Sequence, residues 1–155
     1  MTFRIRGLEP EPFAGLMGLD DETLATRGIQ RVIADEPHSA PCRVSLEDAV
    51  PGEALLLLSY EHQPADSPFR ASGPIFVREA ALEAFDRIDQ VPEAIQRRTI
   101  SARAYDDQAM MLEGELVDGR EVAPLLERWL ARPDVDKVHL HYARRGCFAA
   151  VAERA

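Results

Sequence analysis

Four consecutive leucines, Leu55 to Leu58, constrain this chain more than any other feature. They lie inside residues 42–79, CRVSLEDAVPGEALLLLSYEHQPADSPFRASGPIFVRE, and lead directly into Tyr60 and His62. A short unbroken apolar run suits a strand covered on both faces better than one half open to water. It is expected to be the central strand around which the rest of the chain is built. The eleven residues from Gln63 to Gly73 hold two prolines and two serines, after which Ile75-Phe76-Val77 resumes a second strand. A connection that long inside a compact domain is usually functional or disordered, so the search for a site begins there.

At 155 residues the chain is expected to form one domain, spanning 1–155, large enough to bury a proper core without staples. Two cysteines, Cys42 and Cys147, are too few for a disulfide scaffold, and they form no zinc-type pair. The start, MTFRIRGLEPEPF, lacks a signal-peptide core, and no apolar run approaches the roughly 20 residues that span a bilayer. The expectation is a cytoplasmic protein. A net charge of −9, with acidic residues spread along the chain, argues against nucleic acid or an anionic membrane as partner, because phosphate backbones need clustered cations. Seventeen of the eighteen basic residues are Arg and only Lys137 is Lys, so any oxyanion site must rest on guanidinium groups, which grip carboxylate or phosphate with paired hydrogen bonds. There is no phosphate-binding GxxxxGK[ST] run.

In chain order, Phe3 and Ile5 alternate with Arg4 and Arg6 as in a half-buried strand. Asp20-Asp21-Glu22 opens a short helix that Gly28 ends, and Arg31 to Ala34 and CRVSL from Cys42 read as short strands. Pro51-Gly52 marks a turn, and Pro92 starts a short helix. Thr99 to Tyr105 buries its small-residue face and forms a hairpin with Met110 to Val117. The clearest helix runs from about Glu121 to Arg132, with Val122, Leu125, Leu126, Trp129 and Leu130 on one face. Its start lies after Asp118, since a cap there would leave Pro124 too deep in the helix. Val135 to Ala143 and Cys147 to Glu153 form a last hairpin through Arg144-Arg145-Gly146. Simple pairing sets Ala143 opposite Cys147, His141 opposite Ala149 and His139 opposite Val151; Phe148 then shares the core face with Leu140 and Tyr142, and His139, His141 and Cys147 share the half-exposed one. The pattern is α+β: a mainly antiparallel sheet of six to eight strands, one prominent C-terminal helix and several short helical turns.

Residues 42–79, the DGRE before the main helix and the GCFA near the end together resemble the bacterial family called domain of unknown function 1203. The resemblance covers nearly the whole chain. It implies one self-contained domain of about this length and brings no activity, cofactor or catalytic residue.

Within the long loop, Ser67 before Pro68 is a helix-start pairing, and free amides there would join Ser67, Ser72 and Arg70 in an anion pocket, with Arg43 as a further ligand-binding guanidinium. The plainer alternative is a stiff loop whose Arg70 pairs with a nearby acid. His62, at the end of the central strand, is the candidate general acid or base, and Cys147 the candidate nucleophile, with His141 as its conceivable partner. His139-x-His141 could supply two metal ligands from one strand face, but no third ligand has diagnostic spacing, so no metal and no cofactor is expected. Arg144-Arg145 reads as a solvated hairpin tip or a contact for an acidic ligand. Two functions follow as expectations. One is a binding protein or small enzyme for a small anionic metabolite, using the loop after the central strand. The other is a non-catalytic domain that forms a homodimer through a sheet edge or hairpin.

Overall fold

The computed structural model describes residues 2–155. Among the described residues nine strands form two antiparallel sheets, with a few short helices around them, an α+β arrangement. The larger sheet runs β5-β1-β9-β8-β6-β7, from β1 (Phe3–Arg6), β5 (Asp86–Ile88), β6 (Thr99–Tyr105), β7 (Met111–Asp118), β8 (Lys137–Tyr142) and β9 (Cys147–Arg154). The smaller runs β2-β3-β4, from β2 (Gln30–Ile33), β3 (Ala54–Gln63) and β4 (Ala71–Arg78).

The leucine run lies in β3, the middle of the smaller sheet, with Leu55 and Leu56 fully buried on opposite faces. It is therefore central, but to the lesser sheet. The principal core forms between the larger sheet and helix α4 (Val122–Leu130), where Leu125, Leu126, Trp129 and Leu130 pack against Ile100, Val138, Leu140 and Ala150. The apolar stripe read from sequence is the face that α4 buries. A separate cluster joins Leu56, Leu58, Ile75 and Val77 to Phe13 of α1 (Glu11–Ala14) and Leu24 of α2 (Asp21–Thr26), the latter capped by Asp20 as its sequence requires.

Four expectations need correction. CRVSL is not a strand: it is an irregular segment carrying only isolated bridges, Pro41 to Asp48 and Cys42 to Phe76, with Leu46 at a positive φ of 54°. Its backbone hydrogen bonds go elsewhere, Arg43 donating to Phe76 and accepting from Leu8, so it stitches the two sheets together. The long loop is shorter than expected, because β4 begins at Ala71. The last hairpin carries a bulge between Leu140 and His141, so that His141 faces Phe148 and Tyr142 faces Cys147, while His139 faces Val151 as expected. That extra residue moves Phe148 onto the histidine face and takes Cys147 off it. The histidine face is also not half-exposed: His139 and His141 are buried between the sheets.

Helix α4 has the late start its proline demands. Asp118 accepts a hydrogen bond from the Arg120 amide and begins a 3-10 turn, Gly119–Glu121, before the α-helix proper. Short α3 (Glu93–Gln96) ends at Arg97 and turns directly into β6, so Arg97 and Arg98 project beside the end of β8.

Candidate functional site

A cavity of about 640 Å³ opens between this α3–β6 junction, the 38–43 segment and the last hairpin. Arg43, Arg97, Arg98, Arg144 and Arg145 all line it, in a chain whose net charge is −9. The one carboxylate engaged with these groups from below is Asp48, 2.7 Å from Arg98 and 3.7 Å from Arg97. Glu93 also pairs with Arg97, at 3.3 Å on the exposed side. Arg43, Arg144 and Arg145 make no ion pair among the described residues.

Arg43 is buried, at 3% exposure, and its guanidinium donates only to the backbone carbonyls of Phe148 and Pro41. Burial lowers its pKa, yet an arginine stays charged in any protein environment, so the cleft floor carries a desolvated cation without a counter-ion. Tyr142 stands between two guanidinium groups, with the Arg43 and Arg98 carbons 4.9 Å and 5.1 Å from its ring centre. Its hydroxyl is buried and has no hydrogen-bond partner among the described residues. Burial raises its pKa to about 12, so it remains a proton donor at neutral pH. His38 holds a left-handed backbone at the rim, φ 57°, while its ring meets the Arg97 guanidinium.

The predicted site residues scatter. Arg43 and Cys147 line the arginine cleft. Arg70 instead pairs with Glu61 at 3.0 Å on the surface, the plainer alternative for this loop. The Ser67 hydroxyl donates to the Ala109 carbonyl and accepts from the Phe69 amide, which ties the loop to the β6–β7 turn, and Ser72 is exposed. Only one turn forms after Ser67, closed by the Arg70 amide on the Ser67 carbonyl. Cys147 is half-buried, its thiol donating at 3.9 Å to the Arg145 carbonyl, and the bulge separates it from His141. Cys42 is fully buried, its sulfur accepting from the Val44 and Arg78 amides.

His62 enters a different constellation. From the end of β3 it crosses to the larger sheet and stacks on Phe148, 5.2 Å between ring centres, with His141 at 5.1 Å and His139 at 6.2 Å. Burial is the main reason all three rings have lowered pKa values, His139 to about 3 and His141 to about 4. Neighbouring charges add to it: His141 and His62 around His139, and Arg103 across from β6. The rings are thus neutral at neutral pH. They meet edge to face or stacked instead of pointing at one centre, and no group of three His, Cys, Asp or Glu side chains is placed to hold a metal ion among the described residues.

Sequence reasoning missed Arg97, Arg98, Tyr142 and His38. A usable signal existed in the two Arg-Arg doublets, at 97–98 and 144–145, in so acidic a chain. Tyr142 was hidden because the alternation of its strand assigns it to the core, which its ring does join.

The chain matches the family model described as protein of unknown function (DUF1203) over residues 39–154, and it belongs to that family. The match spans the 38–43 segment from Ser39 onward, both Arg-Arg doublets, Tyr142 and Cys147. No curated protein and no solved structure matches it. Among the described residues no helix is long and apolar enough to cross a membrane.

Proposed function

We propose that this member of the DUF1203 family binds a small, multiply charged anionic metabolite in the arginine cleft. One observation carries the reading: five guanidinium groups converge on a single 640 Å³ cleft, three of them without an ion pair, in a chain of net charge −9. Cavities of roughly 300–1,000 Å³ are the usual size for metabolite sites. Guanidinium forks match the geometry of carboxylates and phosphates, and the cost of a desolvated, unpaired Arg43 is offset when an anion arrives. The Tyr142 hydroxyl supplies a neutral donor at the floor, a group that a bound oxyanion would satisfy. On this reading Arg43 binds the ligand from the cleft floor, whereas Ser67 and Arg70 are engaged with the Ala109 carbonyl and with Glu61, and Ser72 lies exposed on β4.

A thermal-shift panel of inorganic phosphate, sulfate, citrate and ATP tests this reading. At about 100 times the dissociation constant a ligand adds ~2.7 kcal/mol, which for a domain of this size raises Tm by about 5–10 °C. Arg144 and Arg145 are exposed, so an Arg144→Ser/Arg145→Ser variant is expected to keep the ligand-free Tm and lose the shift, while Arg70→Ala keeps both. The reading fails if no anion shifts Tm, or if the shift survives in the doublet variant.

The homodimer reading has its own support in β7. It is an eight-residue edge strand that is mostly exposed, with Leu116 at 70% and Leu112 at 39%. Long apolar edges invite pairing with another chain. If β7 is the contact, light scattering gives twice the monomer mass and Leu116→Lys returns it to monomer; a monomeric wild type across micromolar concentrations rejects it.

A further inference from the structure

A second cavity, about 230 Å³, shares no lining residue with the arginine cleft. It opens where the end of β3 meets β1, β8 and β9, between His62, Gln63 and His139, with Arg6, Lys137 and Glu153 at its margin. We propose that this cavity is a binding site for a small monocarboxylate that also carries a hydroxyl or carbonyl group.

The lining supplies the reason. Five buried side-chain nitrogen or oxygen atoms lack a hydrogen-bond partner among the described residues, and three of them, His62 Nδ1, Gln63 Nε2 and His139 Nδ1, belong to residues that line this one cavity. Gln63 and His139 are only 3% and 2% exposed. A buried polar atom left unpaired costs about 1–3 kcal/mol, so three on one wall describe a surface shaped for a partner. The Gln63 amide nitrogen can only donate, and a neutral imidazole always has one N–H to give. The Gln63 donor calls for an acceptor oxygen on the ligand, and each imidazole can meet either an acceptor or a hydroxyl donor according to its tautomer. Burial keeps both rings neutral at neutral pH, so they select for hydrogen bonding and not for high charge.

Charge at the margin fixes the rest. Arg6 is paired with Glu153 at 2.9 Å, whereas Lys137 is approached by Asp136 only at 3.9 Å. Lys137, with the longer and looser of the two ion pairs, is the cation available to a single carboxylate. A volume of 230 Å³ equals the share of about eight water molecules in the liquid, enough for a hydroxy or keto acid of a few carbons and too little for a nucleotide.

Long-range nitrogen–proton NMR of the four histidine rings, titrated with lactate, pyruvate and glycolate, tests the site. His62 and His139 are expected to shift saturably with at least one of these acids, while His38, which lies in the other cavity, stays still. Lys137→Met alters a half-buried side chain at the cavity margin and should weaken binding about tenfold or more, since it removes a charge-assisted hydrogen bond. The Arg144→Ser/Arg145→Ser variant should titrate like wild type, which separates this site from the arginine cleft. The proposal is overturned if none of the acids moves the two rings, if Lys137→Met binds unchanged, or if only zinc(II) produces the shifts.

Discussion

Gly119→Ala is expected to abolish stable folding. A Cβ at this position would lie 1.9 Å from the Ile95 carbonyl oxygen, 2.7 Å from the Arg98 carbonyl oxygen and 2.8 Å from the Gln96 carbonyl carbon. All three are backbone atoms, so no side chain can swing aside, and relief requires α3 and the 3-10 turn to separate. Their contact is also held by the Gly119 amide, which donates to the Arg98 carbonyl at 2.8 Å. Separation would expose the adjoining core around Ile95 and Val122. Overpacking against rigid neighbours plus that exposure amounts to about 4 kcal/mol or more, a large part of the 5–15 kcal/mol that holds a typical domain together. Urea denaturation of the purified variant, or its failure to accumulate in soluble form, measures the loss. Gly15→Ala is the control: nothing lies within 4 Å of its would-be Cβ and its φ is −70°, so it should change stability by only about ±0.5 kcal/mol. A Gly119→Ala protein as stable as that control would refute the packing account.

The same residue shows what a sequence can and cannot disclose. DGRE stands out as a motif, and Asp118 does cap a turn, but the reason for the glycine lies in α3, more than twenty residues earlier. Local patterns were legible where one chain segment decides the outcome. The α4 stripe, the β6–β7 hairpin and the acidic cap of α2 each follow from periodicity or capping chemistry within a few residues. Patterns decided by distant partners were not. Leucines buried on two faces look the same in a small sheet as in a large one, so β3 gave no sign that the main core would gather on β6, β8 and α4. The bulge before His141 depends on how the Arg144-Arg145-Gly146 loop closes, and that single residue decides whether Phe148 or Cys147 shares the histidine face. The arginine cleft is assembled from three segments separated by about fifty residues each, and only its doublets hint at it. Arg43 was expected to bind a ligand, but nothing local to its sequence signals that it is buried at the cleft floor.

Acidification from about pH 7.5 to about pH 5 is expected to remove roughly 4 kcal/mol of stability, because the unfolded chain takes up protons that the folded one refuses. In the native state the ring pKa values are about 3 for His139 and about 4 for His141, against an ordinary value of 6.5 in the unfolded chain. Between these limits the unfolded state binds more protons, so stability rises with pH, is fully present above 6.5, and falls as pH drops toward 4. At pH 5 each ring contributes a loss of about 2 kcal/mol. His62, also lowered by burial, adds in the same direction. The rings do not escape by sharing the burden: His139 and His141 are 6.3 Å apart, Arg103 faces the pair, and a proton accepted by one repels the next. The carboxylates of the surface ion pairs work at lower pH, since their partners hold Asp86 and Asp118 below the ordinary carboxylate range, and so leave the window above pH 5 to the histidines. Urea midpoints measured across that window should fall steeply in wild type and less steeply in His139→Phe, which keeps a ring of similar size without a proton to accept. A wild type equally stable at both ends, or a slope unchanged by His139→Phe, would show that the buried rings are not what ties the two sheets to neutral pH.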